Sequence, residues 1–316
     1  MIVDGLRFFW LPTIADIDGN PTSRLNEWVG AGQYYFDASV DASTAAFVLT
    51  PGSSLLPTFA AEMSRFGAAA IETSAGVSQS PTPKSTAWLF IQTYYAAFYA
   101  AHSLLRSFGI SATNLRSSQC QKADSIAAAL GFSTAPLNNA QFRCEYLSSS
   151  SRLACTKANG SGVHEQFWRI FDGFLVTMLP RILKNPALVS QDAQDIFLKL
   201  TELRAILRFA NHSGGNWLSS VRNEVTYSQQ HAAWFPYGRS KSECLRLFKL
   251  QEVWRNEPDT IVLCPPKANE AEQFILACGF LVSLSVANAR EMALRSPSNR
   301  SFLRGSLLKL LNQLSA

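Results

Sequence analysis

Apolar side chains in residues 88–109 recur at alternating steps of three and four, the spacing that predicts an amphipathic α-helix. The large ones share one face, made of Trp88, Ile91, Tyr95, Phe98, His102 and Leu105. The small ones form a neighbouring strip, made of Ala96, Ala97, Ala100 and Ala101. We therefore predict that the large face fills a core and that the small strip lets another helix approach closely.

The sequence also marks both ends of this helix. Ser85 or Thr86 can cap its first amides, and Gly109 is a typical stop after Arg106. Comparable periods predict further helices over 122–130, 163–179, 190–209, 242–254 and 303–314. Asn216 can cap one more helix, and Asn269 with Glu272 has the spacing of a capping box that opens another.

Residues 1–84 lack such a period, because Pro, Gly, Ser and Thr are scattered there among short apolar clusters. That pattern fits either short strands or an irregular cap. Residues 74–84 have the composition of a linker. We predict a mostly α fold, with an irregular or mixed N-terminal region over 1–84 and a helical domain over 85–316.

Residues 273–289 carry no charge and raise the question of a membrane span. They are at the short limit for crossing ~30 Å of hydrocarbon, and they include Gln273, Ser283, Ser285 and Asn288. We interpret this segment as a buried core helix and expect no membrane association.

Composition narrows the function classes only a little. Apolar residues make up 47% and charged residues 16% of the chain, as in an ordered globular protein. The net charge of +5 permits RNA binding without requiring it. The densest basic run, residues 239–255, fits a solvated helix face better than a phosphate-binding patch.

Cysteine and histidine spacing gives no indication of a metal site. None of the gaps between the six cysteines matches a zinc knuckle, and the four histidines form no pair at helical spacing. We interpret the cysteines as small buried hydrophobic residues. No cofactor motif and no leader segment is evident, so we expect no cofactor and a cytoplasmic location.

Two motifs resemble a known family when they are taken together. The hexapeptide RNEVTY at 222–227 is similar to the signature helix of the HEPN family, the helical domains of prokaryotic toxins and RNases. Upstream, the Tyr94–Tyr95 pair followed by small residues also resembles that family, in the order that the family uses. The resemblance implies a HEPN-like helical bundle and a role in prokaryotic anti-phage defence.

The resemblance also implies a site and a reaction. In catalytic members an Arg and a His cleave RNA without metal, usually across the interface of a dimer; the matching residues here are Arg222 and His231. A neutral His can take the proton of a ribose 2′-hydroxyl, while an Arg stabilises the charged phosphorane. The expected products carry a cyclic phosphate and a free 5′-hydroxyl.

The spacing of this pair departs from the family pattern. Arg222 and His231 are nine positions apart, which on a straight helix is half a turn out of phase and ~13.5 Å along the axis. They can meet only if the helix ends near Tyr227 and the chain then turns back. Two interpretations of Arg222 are therefore open: it binds phosphate, or it forms a salt bridge, for example to Asp172. His231 is likewise either a general base or a histidine at the surface or at an interface.

Three more residues are candidates for substrate binding, and each also has a structural interpretation. Asn223 and Tyr227 lie beside Arg222 in the motif, and Tyr227 can pack on Tyr94 or Tyr95. His102 lies on the apolar face of the first helix, where a hydrogen-bonded core histidine is the simpler interpretation.

Two function classes follow from these observations. The first is a HEPN-like, metal-independent ribonuclease or toxin with Arg222 and His231 as its site. The alternative is a non-catalytic HEPN-like module that binds a protein partner, a second copy of the chain or nucleic acid within a defence complex. The stretched spacing and the modest charge favour the alternative.

Overall fold

A computed structural model describes residues 1–37, 44–78, 85–132, 137–236 and 238–315. The protein is 62% helical and 11% strand, which confirms the mostly α class. The helices within this part of the chain are α1 Ile2–Leu6, α2 Leu25–Ala31, α3 Leu55–Ser78, α4 Ala87–Ser107, α5 Ser117–Ala129, α6 Val163–Leu183, α7 Ser190–Leu207, α8 Trp217–Tyr227, α9 Lys241–Gln251, α10 Glu270–Arg295 and α11 Leu307–Ser315. The HEPN-like bundle stays a prediction.

A five-stranded antiparallel sheet accompanies the helices, and our sequence analysis did not predict most of it. Its strands are β1 Tyr34–Asp37, β2 Thr44–Leu49, β3 Ile110–Leu115, β4 Ala140–Leu147 and β5 Arg152–Lys157. They lie in the order β1-β2-β5-β4-β3. Ala46 of β2 pairs with Ala154 of β5, so strands from before and after residue 84 share one sheet. The two short strands in residues 1–84 match one of the two patterns expected there.

Helix α3 corrects our interpretation of residues 74–84 as a linker. Residues 74–78 are the last turn of this 24-residue helix, while residues 79–84 lie outside the described part of the chain. Residues 60 and 61, both alanines, are fully buried, and Gly67 lies against Leu307 of α11. Small residues here allow close packing of helices. Ser74 and Ala75, two small residues of the segment that we interpreted as a linker, are buried in the same way.

Helix α4 lies at the centre of the fold, and its ends are close to the predicted ones. The Ala87 amide donates to Ser85 Oγ at 3.4 Å, and Gly109 adopts φ +73 while its amide donates to the Arg106 carbonyl. Ala96 and Ala100 are buried in the core cluster that contains α3 and the sheet. The small strip therefore contacts other elements closely, as predicted.

Two details of the helical prediction were wrong. Trp88 is 62% exposed, whereas its neighbours Leu89 and Phe90 are buried, so Trp88 lies outside the buried face of α4. Its ring lies edge-on to that of Trp234, with ring centres 6.4 Å apart. Helix α6 continues through Pro180 to Leu183. Proline removes one backbone hydrogen bond, but Ile182 just beyond it is fully buried, which favours the extra turn.

Helix α10 is long and apolar enough to cross a membrane, yet 78% of its apolar window is buried inside the protein. Asn269 and Glu272 form the predicted capping box at its start, with two hydrogen bonds of 3.0 Å. Phe274 and Phe280 are fully buried. These contacts are those of a core helix, as we predicted for residues 273–289.

Candidate functional site

The chain turns back immediately after α8, which is the condition that the predicted site required. Helix α8 ends at Tyr227, and the amides of Ser228 and Gln230 both donate to the Glu224 carbonyl at 3.1 Å. Gln229, His231 and Ala232 then adopt left-handed backbone conformations with φ of 52, 63 and 47°. Such conformations are costly for residues other than glycine and recur at functional sites. The return brings His231 alongside α8.

The His231 side chain is held by a carboxylate. Its Nε2 atom lies 2.6 Å from Oε2 of Glu224. The other carboxylate oxygen of Glu224, Oε1, accepts a hydrogen bond from Ser220 Oγ at 2.8 Å. Partial burial of Glu224 raises the pKa of its carboxyl, but these two hydrogen bonds outweigh burial and leave that pKa below its usual range. A neutral His231 therefore donates from Nε2, and its Nδ1 lone pair is the one that can accept a proton.

Arg222 is two positions before Glu224, so its side chain leaves α8 about 200° away from that of Glu224, and it is 7% exposed. Its Cζ atom is 5.2 Å from the ring centre of Tyr94 and 5.7 Å from that of Tyr95. Its Nε atom is buried without a hydrogen-bond partner. No carboxylate in the described part of the chain pairs with it. Asp172, the partner that we considered, is instead bonded to Arg204 at 2.8 Å. The salt bridge that we considered for Arg222 is absent from these residues.

A hydrogen-bonded chain of three aromatic side chains lies beside Arg222. Trp168 Nε1 donates to the Tyr94 hydroxyl at 3.1 Å, and that hydroxyl is 2.8 Å from His164 Nδ1. Burial raises the pKa of Tyr94 despite the opposing effects of Trp168 and Arg222, so the phenol stays protonated. Burial, and then the charge of Arg222, lower the pKa of His164 to about 4. Tyr94 therefore donates to a neutral His164, whose proton is on Nε2.

These protonation states leave the charge of Arg222 without a counter-ion. Its polar neighbours, Tyr94 and His164, are both neutral near pH 7. The cation–π contacts with Tyr94 and Tyr95 stabilise the guanidinium by up to about 2 kcal/mol, which is less than the cost of burying an unpaired charge. An anion that binds beside Arg222 would supply the missing charge. The geometry at this flank of α8 is therefore that of a candidate phosphate-binding site.

The structure places the five predicted site residues in four different surroundings. Arg222 lies in the aromatic cluster, and His231 lies with Glu224 on the other side of α8. Asn223 is exposed, and Tyr227 is 76% exposed. Its predicted packing on the Tyr94–Tyr95 pair is wrong, because Arg222 occupies that position.

His102, the remaining candidate, is a core residue. It is 5% exposed and stacks between Phe66 and Phe167, with ring centres 4.6 and 3.9 Å away. Its Nδ1 atom is 2.7 Å from Nη1 of Arg106. Burial, and then the charge of Arg106, hold the pKa of His102 well below its usual range. The hydrogen-bonded core interpretation is therefore the one that the structure supports.

His164 is the residue that sequence reasoning passed over. It lies in the first turn of α6, one turn before Trp168 on the same face. Both rings contact Tyr94, and His164 also lies 4.6 Å from Phe98. A histidine at helical spacing from a buried aromatic residue was the available signal.

Within the residues that the structure describes, no group of three or more His, Cys, Asp or Glu side chains is arranged to hold a metal ion. The HEPN resemblance rests on the two motifs and stays a prediction. Neither a family model nor a curated protein nor a solved structure matches this chain.

Proposed function

We propose that this protein is a HEPN-like, metal-independent endoribonuclease that acts as a cytoplasmic toxin in prokaryotic anti-phage defence. Arg222 binds the scissile phosphate, and His231 is the general base. The observation that supports this function is the buried charge of Arg222, which has no carboxylate partner in the described part of the chain. A phosphate diester supplies the charge that this position lacks.

The proposed reaction needs one base and one cation. Nδ1 of His231 takes the proton of a ribose 2′-hydroxyl, and the resulting alkoxide attacks the adjacent phosphorus. The guanidinium of Arg222 stabilises the negative charge of the phosphorane. The bond to the 5′-oxygen then breaks, and that oxygen takes back a proton from the imidazolium. Glu224 orients His231 and stabilises its charged form, as the carboxylate of a catalytic triad does.

A homodimer accounts for the separation of the two residues. Arg222 and His231 lie on different sides of α8, so one phosphate is more readily shared between Arg222 of one protomer and His231 of its partner. Exposed aromatic side chains near His231 support such contact. Trp88 and Phe235 are 62% and 71% exposed, and the segment that carries Phe235 packs on the start of α4.

The test is cleavage of a mixed RNA pool in EDTA by the wild-type protein and three variants. Cleavage that yields cyclic phosphate ends should be lost in Arg222→Ala and His231→Ala. It should persist in Arg116→Ala, since Arg116 is an exposed arginine far along the chain from the site. Equal cleavage by all four proteins would disprove the assigned site, and intact RNA with wild-type protein would count against the nuclease.

The alternative function is a non-catalytic module that binds a protein partner, and the same exposed aromatic residues favour it. Trp88, Tyr227 and Phe235 are each more than half exposed, and exposed aromatic side chains are enriched at protein interfaces. Light scattering on wild-type protein and on Trp88→Ala and Phe235→Ala variants measures the oligomeric state directly. An RNA-inactive protein whose dimer is disrupted by these substitutions would support the module.

A further inference from the structure

A second candidate site lies between α2, α3, α4 and β3, away from Arg222 and His231. It is an open groove of about 440 Å³, within the size range of small-ligand pockets. None of the residues of the proposed nuclease site lines it. Arginines, two aromatic rings and side-chain amides line the groove instead.

The floor of this groove is a buried ion pair. Arg106 donates to Oε2 of Glu62 from Nε at 3.0 Å and from Nη2 at 2.9 Å, and from Nη1 to the side chain and carbonyl of His102. The other Glu62 oxygen accepts the Leu25 amide. The Arg106 side chain is 2% exposed and uses four of its five N–H donors in these bonds. Both oxygens of Glu62 accept hydrogen bonds, and Arg106 pairs with its charge.

The rim carries two arginines, Arg24 and Arg65, whose charge the carboxylates of the described residues compensate only weakly. Arg65 donates to the carbonyls of Thr22 and Ser23 at 2.6 and 3.0 Å, which fixes its position without neutralising it. Arg24 is 3.9 Å from Glu27, and both side chains are about three-fifths exposed, so this ion pair is weak. A phosphate group is the anion that two arginines at such a rim recognise best.

The wall is aromatic and rigid. The rings of Phe66 and Tyr99 are 6.3 Å apart and nearly parallel, at 29°. Phe66 is held from behind by Arg106, whose Cζ is 4.7 Å from the ring centre, and by His102. Both rings are half-buried, so each keeps an open portion on which a planar ligand can stack. Asn114 lies beside them with an amide that can pair with the edge of a base.

We propose that this groove binds a nucleoside phosphate, with the base stacked on Tyr99 and Phe66 and the phosphate held by Arg24 and Arg65. The ligand is either a free nucleotide or the terminal nucleotide of a single strand, since both present a base and a phosphate. The assignment does not depend on the nuclease proposal, because the two sites share no residue.

Isothermal titration calorimetry tests the proposal with AMP, UMP, adenosine, inorganic phosphate and a 5′-phosphorylated oligodeoxyadenylate. The deoxy strand lacks the 2′-hydroxyl, so nuclease activity cannot interfere. AMP should bind at least about tenfold more tightly than adenosine or phosphate, because it engages both the wall and the rim. A strand that binds more tightly than AMP identifies a nucleic-acid end as the ligand, and equal affinities identify the free nucleotide.

Variants locate the site. Arg65→Ala and Tyr99→Leu should each weaken AMP binding about tenfold, whereas Arg116→Ala should leave it unchanged. Asn114 is exposed, so Asn114→Ala changes the groove in a variant that should fold normally. No heat with AMP or UMP at millimolar concentration overturns the proposal. Equal affinities for AMP and phosphate would also overturn the proposal. The same holds if Arg65→Ala and Tyr99→Leu leave the affinity for AMP unchanged.

Discussion

The hydroxyl of Tyr94 and Nδ1 of His164 lie 2.8 Å apart, in a hydrogen bond that joins the middle of α4 to the first turn of α6. Arg222 of α8 packs on the same tyrosine ring. Three helices far apart in sequence therefore meet at one buried phenol. The phenol fixes the tautomer of His164, and a neutral histidine in turn leaves the charge of Arg222 available to an anion.

Replacing Tyr94 with Phe should destabilise the protein. The substitution leaves the buried Nε1 donor of Trp168 and the acceptor of His164 without their partner, at a cost of about 1–3 kcal/mol. Urea unfolding monitored by tryptophan fluorescence measures this free energy. Tyr227→Phe is the matched control, because Tyr227 is 76% exposed and should tolerate the loss of its hydroxyl. Equal free energies of unfolding for the two variants would contradict the hydrogen-bonded chain.

His164 should make the folded protein less stable in mild acid. Its pKa is about 4 in the folded state and near 6.5 when exposed, so the unfolded chain binds the proton more readily between these values. Stability contributed by neutral His164 is present above pH 6.5 and is lost as the pH falls toward 4.

The measurement is the free energy of unfolding at pH 7 and at pH 5 for wild-type protein and His164→Gln. Glutamine keeps an acceptor for Tyr94 but does not titrate. The drop between the two pH values should be smaller in the variant, and the difference between the two drops cancels the contribution of other groups. An NMR titration that placed the His164 pKa near 6.5 would contradict the assignment.

Helical periodicity predicted the elements that carry most of the site. Helix α7 follows its apolar stripe closely, because one face of it is buried, whereas α4 and α10 are buried on nearly all sides. The sheet shows where that approach failed. Phe142, Cys144 and Tyr146 alternate with charged Arg143 and Glu145 in β4, which is the period of a half-buried strand. This alternation was present in the sequence, but it extends over only eight residues, and we did not assign a strand from it.

The site itself was predictable only in part. The motif identified Arg222, and the turn after Tyr227 followed from the requirement that His231 return to α8. Glu224 is only seven positions from His231. Tyr94, on which Arg222 packs, is 128 positions away from Arg222 and bonds across 70 positions to His164. Local patterns carry no information about such contacts. That no carboxylate of the part that the structure describes pairs with Arg222 was therefore visible only in the folded chain.

Cys264 should be the one cysteine that reacts rapidly in the native protein. It is exposed, whereas the other five are buried. Partial burial, and then the nearby charge of Glu202, raise the pKa of its thiol. Its reaction with a disulfide reagent should therefore accelerate as the pH rises, because the thiolate is the nucleophile. Native Cys264→Ser protein should show no fast thiol, and a second fast thiol in that variant would contradict the packing of the buried ones.

Two buried arginines should respond in opposite ways to replacement by methionine. Arg106→Met leaves the Glu62 carboxylate buried without its partner, which should cost about 3–5 kcal/mol of stability. Arg222→Met removes a buried charge that no carboxylate of the described residues pairs, so the free energy of unfolding should stay the same or rise by about 1 kcal/mol. Thermal and urea unfolding of both variants provide the comparison, and RNA cleavage by Arg222→Met should be lost. A loss of more than 2 kcal/mol in Arg222→Met would assign Arg222 a structural role on the tyrosine rings. A stable but inactive variant would mean that Arg222 is retained for an anion.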